Sequence, residues 1–174
     1  LREDNVSEQT ASEALADCME ESERVLTMID TLMSVAEAEA GVMKLKLVPT
    51  DLSQILRESF DLYEHVAEDK SLVVQLNSSS GMIATADPQR VRIVFANLVD
   101  NAMKYTPERG KIVASIKGMD DLIVVQLQDS GPGIAEKDME KIWDRLFRAD
   151  KSRSQRGLGL GLSLVKAIVE AHEG

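Results

Sequence analysis

An α+β fold, a two-layer sandwich preceded by one long coiled-coil-like helix, follows from three features of the chain. Apolar or small residues recur at Leu15, Met19, Ser22, Leu26, Ile29, Met33, Ala36 and Ala40, in alternating steps of four and three. No proline and no internal glycine interrupts that run before Gly41. Beyond Gly41 the period changes to short alternating runs mixed with helical ones, the pattern of sheet and helix layers in one domain. The charge changes at the same point: residues 1–41 hold 11 acidic and two basic side chains, so −9 of the net −10 lies there. The expected division is therefore a helical segment 1–41 and a domain 42–174.

The leading helix, about 30 residues long, spans roughly 45 Å at 1.5 Å per residue. Val25 and Leu32 widen its stripe. A helix this long cannot bury the stripe against itself and needs partner helices; packing on its own domain is the alternative. Lys44 to Val48 alternates like a strand that stops at Pro49. Thr50 or Asp51 can cap a helix to about Asp69, with Leu52, Ile55, Leu56, Ser59, Phe60 and Tyr63 on one face. Leu72 to Leu76 reads as a strand, Asn77 to Gly81 as a turn, and Met82 to Ala86 as a second strand. Asp87 followed by Pro88 is an N-cap with proline at the first helical position, opening a helix to Tyr105. Lys111 to Lys117 and Leu122 to Gln128 form a hairpin across Gly118 to Asp121. Ala135 to Trp143 reads as a short helix, and a final helix starts near Leu158.

Composition narrows the function. With 174 residues, 44% hydrophobic and 29% charged, the chain has ordinary globular make-up. Its acidic balance disfavours a nucleic-acid binder, which needs basic surface, and a polybasic membrane-surface domain. The single cysteine, Cys18, excludes an internal disulfide and a multi-cysteine zinc site. No run of 18 apolar residues is present, so no membrane contact is expected within the segment. A cytoplasmic, reducing setting is the expectation.

Four constellations carry chemistry. On the helix after Asp87, Asn97, Asn101, Lys104 and Tyr105 fall at i, i+4, i+7 and i+8, on one face. Carboxamide oxygens are hard ligands for Mg²⁺, and a lysine further along can meet phosphate oxygens. The same stripe also suits a solvated helix face. Asp129-Ser130-Gly131-Pro132-Gly133-Ile134 follows a buried-looking strand. A carboxylate there accepts from a ring amino group and repels a ring carbonyl, favouring adenine over guanine. A plain β-turn is the alternative. Arg156-Gly157-Leu158-Gly159-Leu160-Gly161-Leu162-Ser163 opens the last helix, where free N–H groups make an anion cradle; a hinge would look similar. It is neither a Walker A loop nor a dinucleotide fingerprint. Residues 141–156 hold six basic and two acidic side chains, a local +4 that fits a polyphosphate lid or simply a solvated loop.

In this order the four resemble the N, G1, F and G2 boxes of sensor histidine kinases, within the GHKL ATPase group. The leading helix resembles the second helix of their dimerisation domain, on Glu20-Glu21-Ser22-Glu23-Arg24-Val25-Leu26 and the ending Ala36-Glu37-Ala38-Glu39-Ala40-Gly41. The resemblance runs from about residue 8 onward. It implies a Bergerat ATP-binding fold with ATP and Mg²⁺ as cofactors. Asn101, with Asn97, would hold Mg²⁺; Lys104 would reach the phosphates; Tyr105 would border the nucleotide; and Asp129 would bind the adenine amino group. Gly131, Gly133 and Ile134 would shape the pocket edge, while Gly157, Leu158, Gly159, Leu160 and Gly161 would line the phosphates. Phe147 would anchor the lid and Arg148 would contact the γ-phosphate. Catalysis would then rest on Asn97, Asn101, Lys104 and Arg148, with a homodimer through the first helix and a response regulator as partners.

The family transfers phosphate to a histidine on the first dimerisation helix. The two histidines here are poor matches. His65 has no acidic neighbour after it, and His172 lies beyond the fourth box at a position the family commonly gives to a structural histidine. The acceptor helix is therefore expected before this segment and two further sheet strands after it, leaving an uncovered sheet edge that lowers stability or favours an oligomer. Two other readings compete: a helix-mediated interaction module with a degenerate nucleotide fold, and another GHKL ATPase or protein kinase. Intact Asn101, Asp129 and the loop glycines weigh against degeneracy, and Asn rather than a carboxylate at position 97 weighs against a water-activating ATPase.

Overall fold

A computed structural model describes residues 8–78, 81–120, 122–149 and 158–174. Helix α1 (Glu8–Glu39) leads into β1 (Val48–Asp51), α2 (Leu52–Asp61), α3 (Glu64–Asp69), β2 (Val73–Ser78), β3 (Ile83–Ala86), α4 (Pro88–Tyr105), β4 (Lys111–Met119), β5 (Leu122–Asp129) and α5 (Gly161–Ala171). Strands β2, β4 and β5 form one sheet in that order, β2 parallel and β5 antiparallel to β4. Helix α4 makes the crossover that the parallel pair requires. Strands β1 and β3 pair antiparallel in a separate two-stranded sheet.

The core lies between the three-stranded sheet and α2, α4 and α5. Ile112, Ala114 and Ile116 of β4 point inward at alternate positions, as the strand period of two demands. They meet Ile55, Leu56 and Phe60 of α2, Phe95, Val99 and Met103 of α4, and Leu164, Val165 and Ile168 of α5. Each fully buried aliphatic side chain stabilises the fold by about 1.5–3 kcal/mol through removal from water.

Several expectations are corrected. The segment before Pro49 is irregular, and the strand runs from Val48 to Asp51. Lys46 N–H donates to the Asp87 carboxylate at 2.8 Å instead of to a neighbouring strand. Pro49 is tolerated because β1 has one strand neighbour among the described residues. The helix capped by Asp51, whose side chain accepts from the Ser53 and Gln54 N–H groups, ends at Asp61, and a separate helix begins at Glu64. The break at Leu62–Tyr63 sets the Tyr63 hydroxyl 3.4 Å from Asp100 on α4. In place of one helix over Ala135 to Trp143 there are two 3₁₀ turns, Glu136–Asp138 and Lys141–Trp143. The last helix starts at Gly161, three residues later than expected, because Gly159 has φ +70, a left-handed value no α-helix contains. Strand β5 is half-exposed, not buried, since β4 is its one sheet neighbour among the described residues.

The heptad stripe of α1 stays in solvent: Leu15, Met19, Leu26, Ile29 and Met33 are all exposed. A different face near its end, with Val35 buried and Ala38 beside it, packs into the core with α5. Packing of the helix on its own domain thus accounts for its last turns and leaves the predicted seam unpartnered among the described residues.

Candidate functional site

Helix α4 is the platform, and both of its ends are tied. At its start, Asp87 is extended (φ −84, ψ 110) and its carboxylate accepts from the N–H groups of Gln89 and Arg90, with Pro88 in the first turn. Burial pushes this carboxyl up, but the N–H groups of Lys46, Arg90 and Gln89 and the Arg90 charge outweigh it and hold it below the usual carboxylate range. Asp87 N–H donates to His172 Nε2 at 3.0 Å, and His172 Nδ1 lies 2.8 Å from the Ile168 carbonyl. That pair of contacts makes Nδ1 the protonated nitrogen and ties the end of α5 to the start of α4. His172 is therefore a structural residue. His65 is exposed, with Glu68 3.7 Å away.

Along α4, Asn97, Asn101, Lys104 and Tyr105 are all half-buried. Asn97 Nδ2 donates to the Ile93 carbonyl at 2.8 Å, so its oxygen points away from its own helix backbone. Lys104 Nζ lies 4.0 Å from Asp100 Oδ2. Asp100 also receives the Tyr63 hydroxyl; burial, and then the Asp100 charge and hydrogen bond, raise the Tyr63 phenol above its ordinary value.

Three glycines bring the other sequence motifs against this helix and against each other. A Cβ on Gly161 would sit 2.6 Å from Asn97 Oδ1, so the first residue of α5 lies directly on the Asn97 carboxamide. A Cβ on Gly131 would sit 2.6 Å from Asp129 Oδ1 and 2.9 Å from the Tyr105 carbonyl oxygen. On Gly159 it would lie 2.5 Å from the Phe147 carbonyl oxygen and 3.1 Å from Arg148 Cγ. A side chain at Gly131 or Gly159 would press on backbone and force the segments apart, and one at Gly161 would displace the Asn97 carboxamide. The asparagine helix, the Asp129 turn, the Phe147 segment and the last glycine loop are thus in direct contact, although they span residues 97–161 of the chain.

Asp129 is exposed and orders its own turn by accepting Gly131 N–H at 2.8 Å. Gly133 and Ile134 continue the exposed turn. Phe147 and Leu158 are half-buried, and Leu160 is buried, its carbonyl accepting from the Ser163 hydroxyl. Gly157 and most of the basic loop, residues 150–157, lie outside the described residues. Arg145, just before Phe147, pairs through two nitrogens with the Glu39 carboxylate at the end of α1. Sequence reasoning missed that pair and missed Lys70, whose ammonium meets three carbonyls at the end of α4. No local spacing signals either contact, because the partners lie far apart in the chain.

The donor set suits Mg²⁺ bound together with a polyphosphate. Asn97 and Asn101 lie one turn apart on the same face of α4 and offer neutral amide oxygens, which are hard donors. Asn97 commits one amide N–H to the Ile93 carbonyl, which leaves its oxygen free of the helix backbone. Mg²⁺ ordinarily takes few protein ligands and keeps phosphate oxygens and water, which fits two carboxamides.

Residues 86–174 match the family model described as histidine kinase-, DNA gyrase B-, and HSP90-like ATPase. Sensor histidine kinase CusS of Escherichia coli is 31% identical over 170 residues, 97% of this chain and 35% of that protein. Sensor protein CiaH of Streptococcus pneumoniae is 33% identical over 166 residues, 94% of this chain and 37% of that protein. The chain therefore spans about a third of the length of these curated relatives. Among solved structures, full-length ShkA in complex with AMPPNP superposes with a TM-score of 0.78 at 26% identity, covering 95% of this chain and 34% of that one.

Proposed function

This chain belongs to the histidine kinase-, DNA gyrase B- and HSP90-like ATPases, and on that footing we propose that it is the ATP-binding catalytic region of a two-component sensor histidine kinase. It would pass the ATP γ-phosphate to a histidine on a dimerisation helix, for relay to a response regulator. The observation that carries this reading is the set of close glycine contacts that links four motif segments: Gly161 against Asn97, Gly131 against Tyr105, and Gly159 against the Phe147 segment. The segment 1–41 serves dimerisation, its helix α1 forming a homodimer through the exposed heptad seam, and 42–174 is the catalytic domain. Among the described residues no helix is long and apolar enough to cross a membrane, and the proposed chemistry belongs to the cytoplasmic side.

Phosphoryl transfer asks for positioning and charge neutralisation more than for covalent catalysis. Asp129 has one oxygen committed to the Gly131 N–H and the other available to accept from the adenine amino group. Tyr105 borders the base, with Gly131, Gly133 and Ile134 at the pocket edge. Lys104 exchanges its Asp100 partner for phosphate oxygens. Leu158, Gly159, Leu160 and Gly161 bring backbone close to the phosphates, with Phe147 as the anchor beside them and Arg148 as the γ-phosphate contact. Asn101 and Asn97 hold Mg²⁺, which neutralises phosphate charge when bound.

Binding of a fluorescent ATP analogue tests the reading, measured with and without Mg²⁺ for the wild type, Asp129→Asn and Asn101→Ala. Wild type binds more tightly with Mg²⁺. Asp129→Asn puts an amide against the adenine amino group and weakens binding about tenfold or more, and Asn101→Ala loses most of the Mg²⁺ dependence. A wild type that does not bind, or two variants that bind like it, overturns the nucleotide-site reading.

A further inference from the structure

Lys70 follows α3 and lies far from every motif in sequence, yet its side chain reaches the end of α4. Its ammonium donates to the carbonyls of Met103 at 2.7 Å, Thr106 at 3.1 Å and Lys104 at 3.3 Å. An ammonium has three donors, and here all three are used. The acceptors belong to the end of a helix, where the last carbonyls lack intrahelical partners and the helix dipole is negative. The lysine's own backbone is fixed on both sides: its N–H donates to Val66 at 3.2 Å, and its carbonyl accepts from Arg109 N–H at 2.9 Å.

The peptide groups it grips bracket Tyr105. The Lys104 carbonyl lies in the peptide entering Tyr105, and the Thr106 carbonyl lies one residue beyond it. The Tyr105 carbonyl itself is the surface on which Gly131 rests, beside Asp129. Thr106 is buried, and its hydroxyl has no partner among the described residues, so its polar ties are its N–H to the Ala102 carbonyl at 3.0 Å and its carbonyl to Lys70. A small rotation of the 103–106 backbone would move Lys104 and Tyr105 and open the close contact with Gly131. Three carbonyls converging on one point call for a cationic side chain with several N–H donors.

We propose that Lys70 is a positioning residue of the nucleotide site, fixing the end of α4 so that Lys104, Tyr105 and the Asp129 turn hold their binding geometry without Lys70 touching the nucleotide. The inference rests on the nucleotide-site reading above. Its test is calorimetric titration of the Mg²⁺ complex of a non-hydrolysable ATP analogue into the wild type, Asp129→Asn, Lys70→Met and Lys70→Arg. Lys70→Met keeps full stoichiometry and binds about tenfold more weakly, while Lys70→Arg stays within about threefold of the wild type. If the methionine variant does not fold, Lys70→Gln carries the same test, because an amide offers at most two of the three donors. A wild-type affinity in Lys70→Met, or a reduced stoichiometry at unchanged affinity, overturns the inference, the latter by showing a role in stability alone. Those results leave the nucleotide site standing when Asp129→Asn is impaired; a wild type that does not bind overturns both.

Discussion

The Asp87 carboxylate receives backbone N–H groups from Lys46, Gln89 and Arg90, while its own N–H donates to His172. One residue thus joins the segment before β1, the start of α4 and the end of α5. Its folded carboxyl is held below the usual range, so folding favours the ionised form. The resulting stabilisation is complete above the unfolded-chain value of about 3.9 and disappears as pH falls through the lower folded value. Asp87→Asn keeps a side chain that caps helices well but loses the charge. Urea unfolding should show the variant about 1 kcal/mol less stable at pH 7, the difference between charged and neutral acceptors. The gap should narrow steadily on acidification below pH 4. A gap that is constant with pH would assign the effect to shape instead of charge. The cap itself was legible, because Asp-Pro before an apolar-periodic run marks a helix start, and α4 runs from Pro88 to Tyr105 as expected.

Helix α1 presents two apolar faces with different fates. Val35 is 1% exposed against the core, while Leu26 on the heptad seam is 61% exposed. Val35→Ala should cost about 2 kcal/mol at every protein concentration. Leu26→Ala should leave a dilute sample within about 0.5 kcal/mol of wild type and weaken concentration-dependent association. Denaturation over a hundredfold dilution range separates the two, and equal effects at low concentration would contradict the assignment of faces. The Glu39–Arg145 pair is exposed on both sides and contributes at most about 1 kcal/mol. The four-three spacing exposed the seam in the sequence, yet Val35 lies off it, and the face it marks becomes visible only once α5 is placed. Strand starts were less legible for a related reason. The alternation of Lys44 to Val48 is genuine, but pairing begins only where β3 offers a partner, at Val48 opposite Ala86. Likewise the glycine loop was readable as a loop–helix junction, but the left-handed Gly159 sets the true start of α5.

The whole chain separates two kinds of surface that its net charge of −10 averages away. The acidic surplus lies on the segment before Gly41, and the remainder is close to neutral with a basic stretch over residues 141–156. A phosphate site is therefore compatible with an acidic protein, because local charge governs a polyphosphate contact. The order of the four motifs was the most legible property of the site. Their meeting was not, since Gly131, Gly159 and Gly161 act through the absence of a side chain, and what each absence admits depends on segments distant in sequence. Transfer of phosphate is the most direct measurement of the proposed function. The chain is mixed with a separately produced dimerisation fragment bearing the acceptor histidine and with γ-labelled ATP and Mg²⁺. Acid-labile, alkali-stable label should accumulate on that fragment and fall by about a hundredfold or more with Asn101→Ala, as expected when charge neutralisation at the transferring phosphoryl group is lost. No label on the fragment although nucleotide binds, or label on His65 or His172 of this chain, would contradict it.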